Sequence, residues 1–448
     1  MKEEAKAKTS IVDKLGSVSD TKMSFIASVG IGILLAMPAA IAVYGIIVKH
    51  IDRIHTKHML LMQSLIFPLI CVIAFILYIL NICKIKKENL SLKKILRRNP
   101  LIIVFALAAL WMIISQIYNG IGYALGGLMI LTIGETFDTE LAYFIFILFA
   151  ATQVTKESHK RNLIRIHIAT SILVIITGFI LWNYKFEVGD TYYIEDVGFC
   201  SIFWNINHYG YYLAVTVSLT AASFVNEKKV SWKIFSGLAF LANCIALSLA
   251  DSIGSWIGAF LGVIFVIVAQ AVVKKKVNWQ SIVLIPAFLV CLYIPGHFAG
   301  TFDESWASLG NDIEKVVNEG SEAKAGNGRW ANWKGCMTAI GENPVFGLGF
   351  ECIYRNGLKG VDNTRPHNEF IQYALFFGIP MALLYIVGCF GVFVRALKRK
   401  KKLSEAALIG LSSAFGYLVS SFFGLTVFST AYFLFVFLGM GYVQDKDE

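Results

Sequence analysis

Residues 234–276 read IFSGLAFLANCIALSLADSIGSWIGAFLGVIFVIVAQAVVKKK, and this stretch decides the fold. Two uncharged apolar runs, 234–250 and 256–273, flank the polar turn Asp251-Ser252, and three lysines close the second run. Each run is close to the length that a bilayer demands of a helix, about 20 residues. The stretch therefore predicts a helical hairpin across a membrane, with Asp251 at one face and Lys274 to Lys276 at the other.

Working outward, the same reading recurs along the chain. Twelve apolar runs stand out: 23–48, 60–82, 101–117, 141–155, 163–182, 202–224, 234–250, 256–273, 281–297, 367–394, 406–423 and 426–442. The Gly-rich segment 121–133 is too short to span and reads as re-entrant or interfacial. Composition agrees, with 56% hydrophobic and 16% charged residues among 448. Soluble domains carry about 25% charged residues, so a soluble enzyme, a disordered chain and a disulfide-stapled secreted domain are excluded. The expected fold is all-α, a polytopic membrane protein of about 12 transmembrane helices, with residues 1–448 forming one integral membrane domain.

Charge sets the orientation. With both termini cytoplasmic, the inner segments hold 29 of the 40 Lys and Arg, and 7 of the remaining 11 sit in the long loop 298–366. Cytoplasmic loops concentrate Lys and Arg, and long loops escape the rule. The net charge of +10 thus reports sidedness, and nucleic acid is not an expected partner. One basic piece, 49–59, falls on the outside, where His50, His55 and His58 are expected to form a headgroup-facing cluster. The first run lacks a small-residue cleavage site and reads as a retained helix.

The loop 298–366 is too small for an independent catalytic domain, yet it holds two short amphipathic patterns. Trp306, Leu309, Ile313, Val316 and Val317 form one stripe, and Trp330, Trp333, Met337 and Ile340 the other, at helical spacing. Both suit a bilayer surface with Trp at headgroup depth. Arg329 opens the second helix after Asn327-Gly328. Either it is a solvated side chain in a Gly-rich loop, or backbone N–H groups and a guanidinium meet an anion there. The loop closes on Arg365-Pro366-His367-Asn368-Glu369, with Gln372 one turn beyond Asn368. Ionisable groups at such a span entry are functional candidates, the plainer alternative for His367 being a bond to a loop carbonyl. Asn205, Asn207 and His208 open the sixth run, and interhelical hydrogen bonding would also explain them. Asp251 is open to three readings: a base, a partner for an Arg, or a solvated turn residue. A Cys336–Cys352 bridge is conceivable, but no framework spacing supports it. No metal-ligand pattern, Asp-rich motif or Walker loop is evident, so no metal or cofactor is expected.

Three stretches carry a resemblance to the O-antigen ligase/polymerase superfamily of bacterial membrane proteins. Phe203-Trp204-Asn205-Ile206-Asn207-His208 resembles its N-x-N segment. Arg329, Trp333 and Glu342-Asn343-Pro344-Val345-Phe346-Gly347-Leu348-Gly349 resemble its R-x-x-x-W and P-x-x-G-x-G segment. Arg365-Pro366-His367-Asn368-Glu369-Phe370-Ile371-Gln372, with Gly378-Ile379-Pro380, resembles its H-N-x-x-x-Q and G-I-x-G segment. The resemblance covers roughly 200–395 and implies a GT-C-like membrane fold with one long extracytoplasmic loop. It implies transfer of a glycan from undecaprenyl pyrophosphate to an acceptor hydroxyl at the outer face of the cell membrane, without a metal. The implied partners are an undecaprenyl-pyrophosphate-linked oligosaccharide, an acceptor glycan or lipid, and the bilayer itself. His367 and Arg329 match its functional histidine and loop arginine. Arg365, Asn368, Gln372, Asn205, Asn207, His208, Asp251, Trp330 and Trp333 are the expected substrate-binding set. One departure is Ala250-Asp251-Ser252-Ile253-Gly254-Ser255, where the family often carries Ser-Arg-Gly. Either Arg365 substitutes for that Arg or the donor is held differently. Polymerase and ligase are not separable on these residues. The rival from another class is a secondary transporter of a small solute, which would need paired repeats and helices broken at the bilayer midplane.

Overall fold

The computed structural model describes residues 14–87, 100–120, 135–183, 198–319, 326, 328–350, 352–353, 357–358, 361 and 365–443. The Gly-rich segment 121–133, Asn327 and most of the basic loop 83–100 lie outside the described residues. Apart from one isolated bridge between Leu358 and Val361, every regular element described is a helix. The chain opens with α1 (Asp20–Val48), turns at Lys49 and continues as α2 (Ile51–Leu61). A π-helical turn over Met62–Ile66 joins α2 to α3 (Phe67–Lys87) in one rod. Then come α4 (Pro100–Asn119), α5 (Phe137–Gln153), α6 (Glu157–Asn183), α7 (Ile206–Asn226), α8 (Val230–Leu249), α9 (Ile253–Ala269) and α10 (Trp279–Ala299). The segment 298–366 contributes α11 (Thr301–Glu319) and α12 (Arg329–Glu342), and α13 (Glu369–Phe377), α14 (Ile379–Lys398), α15 (Glu405–Ser420) and α16 (Ala431–Gly441) complete the bundle.

Nine helices among the described residues are long and apolar enough to cross a membrane, against the twelve expected from the apolar runs. The other three expected spans fall on α5 (17 residues), α16 (11 residues) and α7. The physical reason is enclosure by protein. Every residue of α16 is buried, and so is nearly all of α7. A helix that sees protein on all sides can be short or polar. Three buried hydroxyls on α7 find partners on its own turns or on α8, Ser218 donating to Ala214 O at 2.8 Å, Thr220 to Thr216 O at 2.6 Å and Thr216 to Asn243 Oδ1 at 2.7 Å. Small residues let α9 approach closely. A Cβ at Gly258 would lie 2.7 Å from Gly416 O, and one at Gly262 would collide with Ser218 Oγ, the close-packing use of small residues between membrane helices.

The expected span 367–394 is not one helix. It breaks at Gly378, whose φ of 86° separates α13 from α14. The break receives the Pro344–Gly349 segment backbone to backbone. Leu348 N donates to Leu375 O (2.8 Å), Gly349 N to Phe376 O (2.9 Å), and Ile379 N to Pro344 O (2.8 Å). A Cβ on Gly378 would sit 1.9 Å from Val345 O, so only glycine fits. From α4, Ser115 Oγ and Asn119 Nδ2 donate to Phe346 O, and Trp111 Nε1 donates to Phe377 O. The P-x-x-G-x-G and G-I-P motifs are therefore two halves of one joint.

The expected span 426–442 is also broken. Residues 424–430 are buried irregular backbone leading into α16. Such backbone is tolerated at membrane depth only inside protein or beside a cavity. The segment 49–59 is not a headgroup loop either. It forms the start of the α2–α3 rod, with His58 fully buried and His55 stacked on Trp204 at 5.0 Å. Cys336 is a buried thiol and not half of a bridge to Cys352.

Candidate functional site

The two ends of the bundle differ in chemistry. At one end, Arg161 of α6 reaches Glu227 (3.4 Å) and Glu405 (2.5 Å), Arg165 reaches Glu227 (3.0 Å), and Lys274 reaches Glu405 (2.9 Å). Lys160 Nζ donates to Met440 O and Arg395 Nε to Val443 O at the same end. These cations are occupied in tying helix ends together. At the opposite end lie the starts of α7, α12 and α13 and the Asp251 turn, where every residue of the expected site is found.

The centre of that end is the corner Arg365-Pro366-His367-Asn368. Asn368 caps α13, its Oδ1 accepting from Phe370 N and Ile371 N at 3.0 Å each. This satisfies helix-terminal donors and forces the chain to turn sharply, with His367 at a φ of 52°. Backbone strain of that kind persists where surrounding structure imposes it. The indole of Trp333 donates to Pro366 O at 2.7 Å, docking α12 on the corner and carrying Arg329, its first residue, with it. Trp330 is 40% exposed and faces Trp333 at 6.4 Å between ring centres.

His367 lies within electrostatic reach of both Arg329 and Arg365. Burial, and then the two guanidinium charges, push its imidazole down to about 4. Desolvation disfavours the charged form and like charges add to that, so His367 is neutral at pH 7. Its Nδ1 is buried and has no hydrogen-bond partner among the described residues. A neutral imidazole beside two guanidinium groups can take a proton while the arginines meet an anion.

Arg365 is 1% exposed, and its Nη1 donates to Thr426 O at 2.7 Å. Gln372 is equally buried, and its Nε2 donates to the Thr426 hydroxyl. That hydroxyl donates to Glu140 Oε1 at 2.6 Å, and Tyr373 donates to Glu140 Oε2 at 3.0 Å. Glu369 accepts from Tyr385 at 3.1 Å. Beneath the cationic corner there is thus a buried layer of two acidic side chains, Glu140 and Glu369, and their hydroxyl partners.

The start of α7 borders the corner. Asn205 is its N-cap, accepting from Asn207 N at 2.8 Å, and Asn207 Oδ1 accepts from Ser252 at 3.1 Å. His208 lies within electrostatic reach of His55, His367 and Arg365, and Tyr211 within that of Arg329. Asp251 is engaged elsewhere: it accepts from Ser305 of α11. Burial and the nearby Glu304 carboxylate raise its proton affinity, and the Ser305 bond opposes them. The structure thus gathers Arg329, Arg365, His367, His208 and Trp333, assigns Asn205 and Asn368 to helix capping, and uses Asp251 to hold α11. Beside that anchor, Trp256, Phe260, Phe288, Leu292, Phe302 and Trp306 line an apolar cavity of about 340 Å³ between α9, α10 and α11.

Sequence reading omits Glu140 and Thr426, and it takes His55 for part of a headgroup-facing cluster. Glu140 had a usable signal, since it directly abuts an apolar run, after Glu135 and Asp138, and a carboxylate there is a functional candidate by default. Thr426 had none, because its role rests on the irregular backbone it occupies. Among the described residues no group of three His, Cys, Asp or Glu side chains is arranged to hold a metal ion.

Residues 238–386 match the family model described as O-Antigen ligase, which bears out the resemblance to the O-antigen ligase/polymerase superfamily. The matched segment runs from α8 into α14 and contains Arg329, Arg365, His367, Asn368 and Gln372. It supports a glycosyl-transferring role in polysaccharide assembly, on lipid-linked glycans, for this multi-pass membrane protein. No curated protein matches the chain.

Proposed function

We propose that this chain, on the premise of its O-antigen ligase segment, moves a glycan from an undecaprenyl-pyrophosphate-linked donor to an acceptor hydroxyl at the extracytoplasmic face of the cytoplasmic membrane, as a polymerase or ligase. The observation that carries the reading is the gathering of His367, Arg365 and, through the Trp333–Pro366 O bond that docks α12, Arg329 at one corner, within electrostatic reach of one another. The anomeric C–O bond to pyrophosphate breaks, the acceptor oxygen bonds to the anomeric carbon, and the acceptor proton passes to the His367 imidazole. The leaving pyrophosphate gains charge in that step, and preorganised guanidinium groups stabilise such charge best in a site shielded from water. Arg also matches phosphate oxygens with a planar fork. Side-chain cations fill the role a divalent metal plays in other transferases, so transfer should persist in excess EDTA. Trp330 and Trp333 offer flat faces to sugar rings at the rim, and the 340 Å³ apolar cavity suits part of an isoprenoid chain.

Sidedness follows from the two ends of the bundle. The positive-inside rule supports a cytoplasmic basic end, and on that reading both termini lie inside and the His367 corner outside. The test is a deletion strain complemented with wild type or His367→Ala, read by glycan length. General acid–base help is worth about 10²–10⁴-fold, so the variant should lose nearly all transfer while reaching the membrane at normal levels. Wild-type glycan from His367→Ala would refute the proposal. In the deletion strain, loss of the long ladder with one repeat still attached identifies a polymerase, whereas long lipid-linked chains that never reach the acceptor identify a ligase.

A further inference from the structure

The layer beneath the corner is built from residues that the proposed chemistry does not use. Glu140 lies on α5 and Thr426 on the irregular link between α15 and α16. Both fall outside the segment matched to the O-antigen ligases. Thr426 is the hub. Its carbonyl accepts from Arg365 Nη1 (2.7 Å), its hydroxyl accepts from Gln372 Nε2, and the same hydroxyl donates to Glu140 Oε1 (2.6 Å). Tyr373 holds the other carboxylate oxygen at 3.0 Å. All five residues are buried: Glu140 and Thr426 at 0% exposure, and Arg365, Gln372 and Tyr373 at 1%.

One of the bonds that hold Arg365 thus goes to a backbone carbonyl in a stretch that has no helical ladder to fix it. A guanidinium buried to this degree needs hydrogen-bond acceptors and opposing charge close by. The Thr426 hydroxyl ties that stretch to Glu140 at the head of α5, where both groups are fully buried.

We propose that Glu140 is a positioning residue, which acts through Thr426 to fix Arg365 and Gln372 at the donor end of the site. This rests on the glycan-transfer reading above and adds to it two residues that never touch substrate. Because Arg365 would meet the pyrophosphate, loosening it weakens both donor binding and the charge stabilisation that follows.

The test uses full-length protein in lipid nanodiscs with a synthetic polyprenyl-pyrophosphate oligosaccharide as donor. Thr426→Val keeps the shape and removes the hydroxyl. It is expected to raise the donor KM and to lower kcat/KM on the order of 10²-fold, the size of effect that slight misplacement of a binding group produces. Thr426→Ser restores the hydroxyl and is expected to recover most of that loss. Recovery by Ser separates positioning from a mere packing defect, since Ser is the smaller residue and leaves the larger void. Glu140→Gln leaves one acceptor oxygen for two donors and should move KM in the same direction, which keeps the inference testable if Thr426→Val fails to fold. Wild-type kinetics in Glu140→Gln, or a Thr426→Ser variant as impaired as Thr426→Val, would overturn it. If His367→Ala is inactive while Glu140→Gln is normal, the positioning role alone fails. If His367→Ala is fully active, the glycan-transfer reading fails first.

Discussion

The acid limb of the pH profile tests the heart of the site. His367 is held at about 4 against an ordinary 6.5, first by burial and then by Arg329 and Arg365. That lowering corresponds to about 3 kcal/mol of preference for the neutral ring, at 1.36 kcal/mol per tenfold change. An unperturbed imidazole would be about 76% neutral at pH 7, from its pKa of about 6.5. The group here is neutral down to roughly pH 5. If neutral His367 accepts the acceptor proton, kcat/KM is flat from pH 7 to 5 and falls tenfold per pH unit only below about 4. The sign for stability runs the same way. The folded state binds the proton less well than the unfolded chain, so the contribution is fully present above 6.5 and is lost as pH falls toward 4. Tryptophan fluorescence at each pH therefore has to show that the fold survives wherever a rate is read. Arg329→Gln should move the limb to higher pH, because a like charge that opposes protonation is gone. The movement should be smaller than burial's share, burial being the larger cause. A wild-type limb at 6.5 would refute the shielded, cation-flanked imidazole. A rate that rises as pH falls toward 4 would show that His367 works as an imidazolium bound to phosphate and not as a base.

Two further expectations concern the joints that carry the site. Gly378→Ala places a Cβ 1.9 Å from Val345 O at a φ of 86°, which should destabilise the protein by roughly 2–4 kcal/mol, seen as a lower Tm in detergent. Gly341→Ala, with nothing within 4 Å of its Cβ, is the control and should leave Tm unchanged or slightly raised. Trp333→Phe removes the 2.7 Å bond to Pro366 O, a loss of about 1 kcal/mol. Transfer should drop severalfold with little change in Tm, and an unchanged rate would show that α12 docks on the corner by other means.

Much of this was legible in the residues themselves. Long apolar runs and the Lys274 to Lys276 cluster define a membrane bundle with a basic end, and His367, Arg329 and Arg365 stand out because ionisable groups at a span entry are costly. The spans were harder to count because hydropathy measures suitability for lipid. α7 and α16 see protein instead, so Ser218 and Thr220 could sit on one and 11 residues suffice for the other. Roles within the motifs were harder still. Asn368 and Asn205 look like ligands for sugar hydroxyls, yet each has its Oδ1 committed to a helix cap. Whether an Asn caps or binds depends on where a helix begins, and helix starts are the least certain part of a sequence reading. Asp251 stayed open to three readings because its partner, Ser305, lies on another element far along the chain.

Both helix breaks near the site have the same physical origin. An α-helix uses its own carbonyls, so a guanidinium inside a bundle of intact helices finds few free acceptors. Breaking the run at residues 424–430 frees Thr426 O for Arg365, and breaking it at Gly378 lets Pro344–Gly349 enter and ends α13 after 9 residues. Hydrocarbon would not tolerate either break, since each leaves peptide groups that need partners. The breaks are affordable only because α4 covers the Gly378 joint, while packing buries 424–430 completely. The site is therefore confined to the protein-enclosed part of the bundle. α3, α4 and α10 carry exposed apolar faces that include Phe75, Ile82, Leu107 and Val290, the surfaces that hydrocarbon would meet. Polar substitutions on those faces should impair insertion long before they disturb transfer.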